Sequence, residues 1–201
     1  TNNTAFGNSS LTLNTTGTDN IGFGASSLAG NISGSNNLAI GVNSLAVNTV
    51  SENLAIGSGA LDVNTTGTPN LAIGINALGA NISGNTNLAI GSSALLVNTA
   101  SSNLAIGPSA MLANTTGANN IAIGRLALSA NIGGSSNIAI GASSLLVNTS
   151  GANNIAIGRL ALSANNTGAT NIAIGNSALS ANPVSNNIAI GLNAGDFINN
   201  L

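Results

Sequence analysis

The sequence has almost none of the residues from which catalytic and metal sites are built. It contains no His, Cys, Trp or Tyr, and only 2 Lys or Arg and 4 Asp or Glu among 201 residues. Without Cys there can be no disulfide, and without His and Cys the usual zinc ligands are missing. The ionisable residues are scattered along the chain at Asp19, Glu52, Asp62, Asp196, Arg125 and Arg159. Because catalysis needs such groups brought together, we predict that the chain is not an enzyme and that it holds no metal or cofactor.

Charge and hydropathy also argue against nucleic-acid binding, a disordered chain and a membrane-spanning segment. A net charge of −2 does not suit nucleic acid, because phosphate binding needs clustered Lys and Arg. At 43% hydrophobic residues the chain is too apolar for a disordered tract. No apolar run approaches the roughly 20 residues of a membrane-spanning helix, so we expect no membrane insertion by this segment. No signal peptide is visible and the first residue is Thr1, which favours a segment of a longer protein or a processed product.

The chain is a tandem repeat. The motif Asn-x-Ala-x-Gly, in which Gly22 once replaces Ala, recurs at spacings of 16 or 17 residues. Its copies begin at Asn3, Asn20, Asn37, Asn53, Asn70, Asn87, Asn103, Asn120, Asn137, Asn154, Asn171 and Asn187. We predict a single repeat domain over residues 1–201. Residues 192–201 break the pattern at Gly195 and are expected to form a cap or a junction to a further domain.

A second Asn follows each of the first eleven motif starts at a constant interval of 11 residues, and all variation in length falls after it. The long connections carry Gly three residues after this Asn, as at Gly17 and Gly34, whereas the short ones that follow Asn48, Asn98 and Asn182 lack it. This pattern predicts a turn whose extra residue has a positive φ, which Gly adopts without steric cost.

Alternating apolar residues inside each unit predict two short strands and no helix. Leu38 and Ile40 share one face of a strand, and Ala39 points to the other face. Leu45 and Val47 likewise alternate with Ser44 and Ala46, which predicts a shared face for Leu45 and Val47. Identical residues stacked coil on coil form the cores of solenoids. We therefore predict an all-β parallel β-solenoid (a β-roll) of about twelve coils with two apolar core columns. The columns are Ile40, Ile56, Ile73 and Ile90, and Leu45, Leu61, Leu78 and Leu95.

Two further columns have structural interpretations. The second Asn of each unit is expected to form an internal amide ladder that ties coils together, at Asn48, Asn64, Asn81, Asn98, Asn114 and Asn131. The sequons that this column creates, such as Asn31-Ile-Ser, are attributed to the repeat rather than to glycosylation. The unvaried small column is expected to face outward and to join chains in a parallel homo-oligomer, most simply a trimer. It comprises Ala39, Ala55, Ala72, Ala89, Ala105, Ala122, Ala139 and Ala156. The alternative is that small residues merely accommodate a tight coil.

The motif Asn37-Leu-Ala-Ile-Gly resembles the head repeats of YadA-like trimeric autotransporter adhesins. The longer unit from Asn103 to Gly117 is similar to repeats of phage tail fibres and bacterial surface fibres. The resemblance covers essentially the whole chain. It implies a trimeric fibre of parallel β-rolls that takes part in attachment, located outside the cell, on a cell surface or on a virion. The 16–17-residue unit is longer than that of the adhesin heads, so their coil geometry does not transfer directly.

Three functions follow as hypotheses. The first is a shaft or head scaffold of an extracellular or virion fibre, whose contact with a host-surface receptor would lie in domains outside this sequence. The second is a filament subunit that polymerises end to end through exposed coil edges. The third is an ice-binding solenoid, which ranks last because Thr is expected only in turns such as Thr115-Thr116. Arg125 and Arg159 share one repeat position and are interpreted as solvated surface charges rather than as an anion site.

Overall fold

The computed structural model describes residues 2–181 and 184–196, and in this part the chain is an all-β parallel β-solenoid of about eleven turns without a helix. Twelve three-residue strands form one parallel sheet in which each strand pairs with the next along the chain. These strands are β1 (Thr4–Phe6), β2 (Ile21–Phe23), β3 (Leu38–Ile40), β5 (Leu54–Ile56), β7 (Leu71–Ile73), β8 (Leu88–Ile90), β9 (Leu104–Ile106), β10 (Ile121–Ile123), β11 (Ile138–Ile140), β12 (Ile155–Ile157), β13 (Ile172–Ile174) and β14 (Ile188–Ile190).

Each of these strands begins directly after the motif Asn and ends directly before the motif Gly. The pairing is in register, so that Leu38, Ala39 and Ile40 lie beside Leu54, Ala55 and Ile56. Gly41 then turns the chain with a φ of 131°, and a Cβ there would lie 2.6 Å from the carbonyl carbon and oxygen of Gly57. The invariant Gly is therefore required both by the backbone conformation and by the close approach of the next coil.

The strand faces the opposite way from the prediction. The Ala column is inside the coil, with 0% exposure from Ala39 through Ala55, Ala72, Ala89, Ala105, Ala122, Ala139 and Ala156. The Ile column predicted as core points outward, and Ile40, Ile56, Ile73 and Ile90 are exposed or half-buried. The expectation that the Ala column is an oligomer interface is therefore wrong, and so is the assignment of these Ile residues to the core.

The width of the coil interior explains this orientation. Across the interior from the strand lies a second column of small buried residues, which includes Ser27, Ser44 and Ala60. At Gly22, the one motif position without Ala, an added Cβ would lie 2.5 Å from the Ser10 hydroxyl and 3.0 Å from that of Ser27. Two small side chains fill the space at this level, so a Leu or Ile turned inward from the strand would collide with the opposite wall.

The remaining apolar core is the Leu column. Leu45, Leu61, Leu78 and Leu95 are fully buried, as are Leu28, Met111, Leu128, Leu145, Leu162 and Leu179. These residues lie in turns rather than in a strand. Leu45 has a φ of 48° and Asn43 before it 56°, both in the left-handed region that residues other than Gly seldom adopt. The turn carries the Leu side chain inward, where its burial offsets the cost of that conformation.

The second strand predicted for each coil forms in only two places among the described residues, β4 (Val47–Asn48) and β6 (Val63–Asn64). Val47 was predicted to share a face with the core residue Leu45, but it is 46% exposed. The left-handed residue at Leu45 breaks the simple alternation, so the spacing of two between Leu45 and Val47 does not place them on one face.

The connections after the second Asn need Gly for a reason other than the predicted one. None of Gly17, Gly34, Gly67 or Gly84 has a positive φ. A Cβ on Gly34 would instead lie 2.2 Å from the Val50 carbonyl oxygen and 2.4 Å from the Asn31 side-chain oxygen. Gly is therefore required by close packing between coils, and the prediction of a positive φ at these positions is wrong.

The second-Asn column runs through the interior as a chain of side-chain hydrogen bonds. Asn64 donates to Asn48 over 3.0 Å, Asn81 to Asn64 over 3.1 Å and Asn98 to Asn81 over 3.2 Å. Asn114 and Asn131 continue the series at 2.7 and 2.6 Å. These side chains are fully buried, so the sequon Asn residues among them have no space for an attached glycan. Asn182 lies outside the described residues.

Candidate functional site

One face of the twelve-stranded sheet is an exposed aliphatic surface, here called the Leu/Ile face. It consists of the first and third residues of each strand, which point away from the coil interior. Apart from Thr4, all of them are large and apolar. One column is Thr4, Ile21, Leu38, Leu54, Leu71, Leu88, Leu104, Ile121, Ile138, Ile155, Ile172 and Ile188, and the other is Phe6, Phe23, Ile40, Ile56, Ile73, Ile90, Ile106, Ile123, Ile140, Ile157, Ile174 and Ile190.

The size of the Leu/Ile face distinguishes it from ordinary surface apolar residues. With strands about 4.8 Å apart and two side-chain columns across, it measures roughly 53 by 12 Å, or roughly 600 Å². This equals the largest apolar patches usual on monomeric proteins, and such patches mark interaction sites. Parallel sheets are, moreover, generally covered on both faces. None of the six ionisable residues of the chain belongs to the face.

One border of the face is polar. Shallow open grooves run beside the surface column that starts at Thr4, and their lining includes Glu52, Thr86, Ser102 and Asn119. On the opposite border Val42 and Ile75 are exposed apolar residues, so the polar rim that is usual in protein–protein interfaces is present along one side.

Two aromatic residues interrupt the uniformity of the face. Phe6 on β1 and Phe23 on β2 stack with ring centroids 4.8 Å apart and an angle of 12° between the rings. Phe6 is 66% exposed and Phe23 52%, although Phe23 has a strand on each side. The exposure of Phe6 is matched at the other end of the sheet by Ile190, at 69%, so its place on a terminal strand contributes to it. Phe23 lies inside the sheet and is still more exposed than Ile40 beside it, at 37%.

A second, weaker apolar stripe lies on the segment around the second Asn. Val47, Val97 and Val147 are 46%, 42% and 39% exposed. Over the first ten coils, the position two residues further on is Thr six times, Ile at Ile32, Ile82 and Ile132, and Asn at Asn166. The Thr hydroxyls donate to carbonyl oxygens of the next coil, as Thr115 does to Ile132 over 3.0 Å and Thr99 to Thr115 over 2.8 Å. These Thr residues therefore form a column along the bends that follow the second Asn, where the sequence placed Thr115 and Thr116.

The few ionisable residues of the described part of the chain do not gather into a candidate metal site. Among residues 2–181 and 184–196, no three His, Cys, Asp or Glu side chains come together. The same residues include no helix with the length and apolarity needed to cross a membrane. Burial raises the pKa of the Asp62 carboxyl above its ordinary value. Arg125 and Arg159 are exposed and lie on separate coils.

Sequence reasoning thus identified the Leu column and the Asn ladder but missed the Leu/Ile face as a surface. Alternation placed the two large apolar residues of each strand on one side, but it does not say whether that side lies inside or outside the coil. No family model matches the chain, and neither does any curated protein or any solved structure.

Proposed function

We propose that the chain is a structural segment of an extracellular or virion fibre, a shaft or head scaffold, in which parallel copies associate through the Leu/Ile face. The observation that carries this proposal is the continuous uncharged apolar surface along one side of the parallel sheet. In water such a surface favours burial at about 25 cal/mol per Å². A long, narrow strip parallel to the coil axis is covered most simply by an equally long partner.

A second copy of the chain fits this requirement. Two Leu/Ile faces pressed together would bury roughly 1,200 Å², at the lower limit of stable interfaces, and three around a common axis roughly 1,800 Å². Closed symmetric assemblies are the rule among homo-oligomers. With three copies, every face points at the axis and none stays in contact with water. The resemblance to trimeric fibre repeats agrees with this number, so the proposed assembly is a parallel trimer.

The proposal assigns attachment itself to other parts of the fibre. The outer surface has few charges and the face lacks the aromatic platforms that commonly bind sugars; its only aromatic residues are Phe6 and Phe23. The segment would therefore serve as a stiff spacer that holds a receptor-binding domain away from its anchor.

The proposed trimer can be tested by measuring the native mass of residues 1–201 with light scattering after gel filtration. We expect three times the 19.2 kDa of one chain. The triple variant Ile73→Lys, Ile106→Lys, Ile140→Lys places charges on the face and should run as a monomer with an unchanged β-type circular dichroism spectrum. The free-energy cost of burying unpaired Lys side chains in the interface exceeds the stabilisation from the remaining apolar contacts.

The control is Val47→Lys, Val97→Lys, Val147→Lys, which places the same three charges on apolar residues outside the face that are more exposed than the half-buried Ile73, Ile106 and Ile140. It should leave the trimer intact. A wild-type chain that is stably monomeric would refute the proposal and would assign the face to a partner of another kind. An open-ended distribution of masses, with fibres visible by negative stain, would favour the filament subunit instead.

Ice binding is tested by a thermal hysteresis assay on the same sample. We expect no activity, because the outward Thr column is interrupted at Ile32, Ile82 and Ile132 and its hydroxyl protons are donated to the backbone.

A further inference from the structure

From β3 to β14 the Leu/Ile face is nearly uniform along the solenoid axis. From β3 to β14 the outer column that contains Ile40 is Ile in every strand, and the other column contains only Leu and Ile. A copy displaced by one coil along another would meet nearly the same side chains. Register is weakly specified where a pattern repeats without distinguishing marks. If copies assemble through this face, another feature must fix their relative heights.

Phe6 and Phe23 are the distinguishing feature. They occupy two successive positions of the column that is otherwise Ile, and their rings stack 4.8 Å apart. A Phe side chain reaches further from the backbone than an Ile side chain does. In a parallel assembly with copies at equal height, each ring meets its own symmetry mates and the aromatic residues pack together. After a displacement of one coil, Phe23 of one copy would face Ile40 of another. The longer ring would then hold the two faces apart and leave gaps beside it.

We propose that the Phe6–Phe23 stack sets the axial register of the parallel assembly by packing against the same residues of the other copies. This inference rests on the proposed association through the Leu/Ile face. The two proposals concern different properties of the assembly. The aliphatic residues supply the affinity between copies, and the aromatic pair selects one axial alignment among several of nearly equal free energy. Residues with this role are specificity determinants, since they penalise wrong alignments more than they strengthen the correct one.

The test uses the number of NMR signals per residue, because symmetry makes copies at equal height indistinguishable. In protein labelled with ¹³C at the Ile δ1 methyl groups, Ile40 should give one signal for the wild type. In the variant Phe6→Ile, Phe23→Ile the face becomes uniform, copies settle at different heights, and Ile40 should give two or more signals. Light scattering on the same samples should show the same mass for both, which separates register from association.

Relocating the aromatic pair provides the matched control. Adding Ile123→Phe and Ile140→Phe to the double variant places two stacked rings elsewhere on the same column and should restore a single Ile40 signal. Changing Ile123 and Ile140 to Val in the wild type should leave the single signal unchanged. A single signal from the double variant would overturn the proposal, as would multiple signals from the wild type. Dissociation of the double variant to monomers would also overturn it, because the rings would then be anchors. A monomeric wild type would instead refute the association itself.

Discussion

Asn20 and Asn31 donate their side-chain amides to the same acceptor, the carbonyl oxygen of Gly34, over 2.7 and 2.9 Å. The two Asn residues stand at the start and in the second half of one coil, and Gly34 is near its end, so the pair closes the coil on itself. The side-chain oxygen of Asn20 also accepts the backbone N–H of Asn37 over 3.0 Å, which joins this coil to the next. The two Asn columns therefore determine both the shape of each coil and its stacking.

Removing one Asn from the interior should destabilise the solenoid strongly. Asn131 donates to Asn114 over 2.6 Å and to Gly134 over 2.8 Å, and it accepts from Asn148 over 2.9 Å. We expect Asn131→Ala to lower the free energy of unfolding by about 2–3 kcal/mol, because buried partners lose their hydrogen bonds. Urea denaturation at fixed protein concentration measures the change. Asn176→Ala, at an exposed position, serves as the control and should change stability by less than about 0.5 kcal/mol. Equal effects at both positions would contradict a structural role for the ladder.

Two neighbouring glycines should respond in opposite ways to the same substitution. A Cβ on Gly134 would lie 2.3 Å from the Gly151 carbonyl oxygen and 2.5 Å from the Asn131 side-chain oxygen. A Cβ on Gly133 would meet only the Thr116 hydroxyl, at 3.3 Å. We expect Gly134→Ala to cost about 3 kcal/mol or more, since the backbone of the next coil must move. Gly133→Ala should be neutral or stabilising by a few tenths of a kcal/mol. Thermal melts of the two variants check this, and similar melting temperatures would argue against close packing at Gly134.

The period and the residue columns could be predicted from the sequence because each depends only on spacing. In a solenoid, equivalent residues of successive coils lie directly above one another. Two Asn residues that are always 11 residues apart, such as Asn20 and Asn31, must therefore occupy the same two places in every coil. The burial of the Leu45 column agrees with the prediction, but the same argument from a repeated large apolar residue was wrong for the Ile40 column.

The direction in which the strand faces could not be predicted in the same way. Alternation separates Ala39 from Leu38 and Ile40 but does not say which face is inside. Assigning the larger residues to the core is the ordinary choice, and it fails here because the interior opposite the strand holds only a second small side chain, such as Ser44. The turn conformation of Leu45 likewise has no sequence signal, because Leu seldom adopts a positive φ.

The stability of the protein should depend on pH through Asp62. Burial raises the pKa of this carboxyl, so the folded chain holds the proton more tightly than the unfolded chain. Stability is then greatest below the ordinary pKa of Asp and falls as the pH rises through the interval up to the raised value. We expect Asp62→Asn to increase the urea midpoint at pH 7 and to have little effect at pH 2.5. Glu52→Gln, which changes an exposed carboxyl, is the control. If Asp62→Asn raised the urea midpoint equally at pH 7 and pH 2.5, ionisation of Asp62 could not be the cause of the change in stability.

Neighbouring residues of one strand should separate folding from assembly. Ala122 is fully buried in the coil interior, whereas the adjacent Ile123 points out from the Leu/Ile face. Ala122→Gln must force a long polar side chain against the opposite wall, so we expect loss of the β-type circular dichroism spectrum or a decrease in stability of about 3 kcal/mol or more. Ile123→Gln should retain the spectrum of the coil while weakening association, seen as a lower mass on dilution. If Ala122→Gln instead left a folded monomer and Ile123→Gln unfolded the chain, the strand would face the other way and the Ala column would return as the interface. The pair thus tests, on two adjacent side chains, the orientation on which the whole assembly proposal depends.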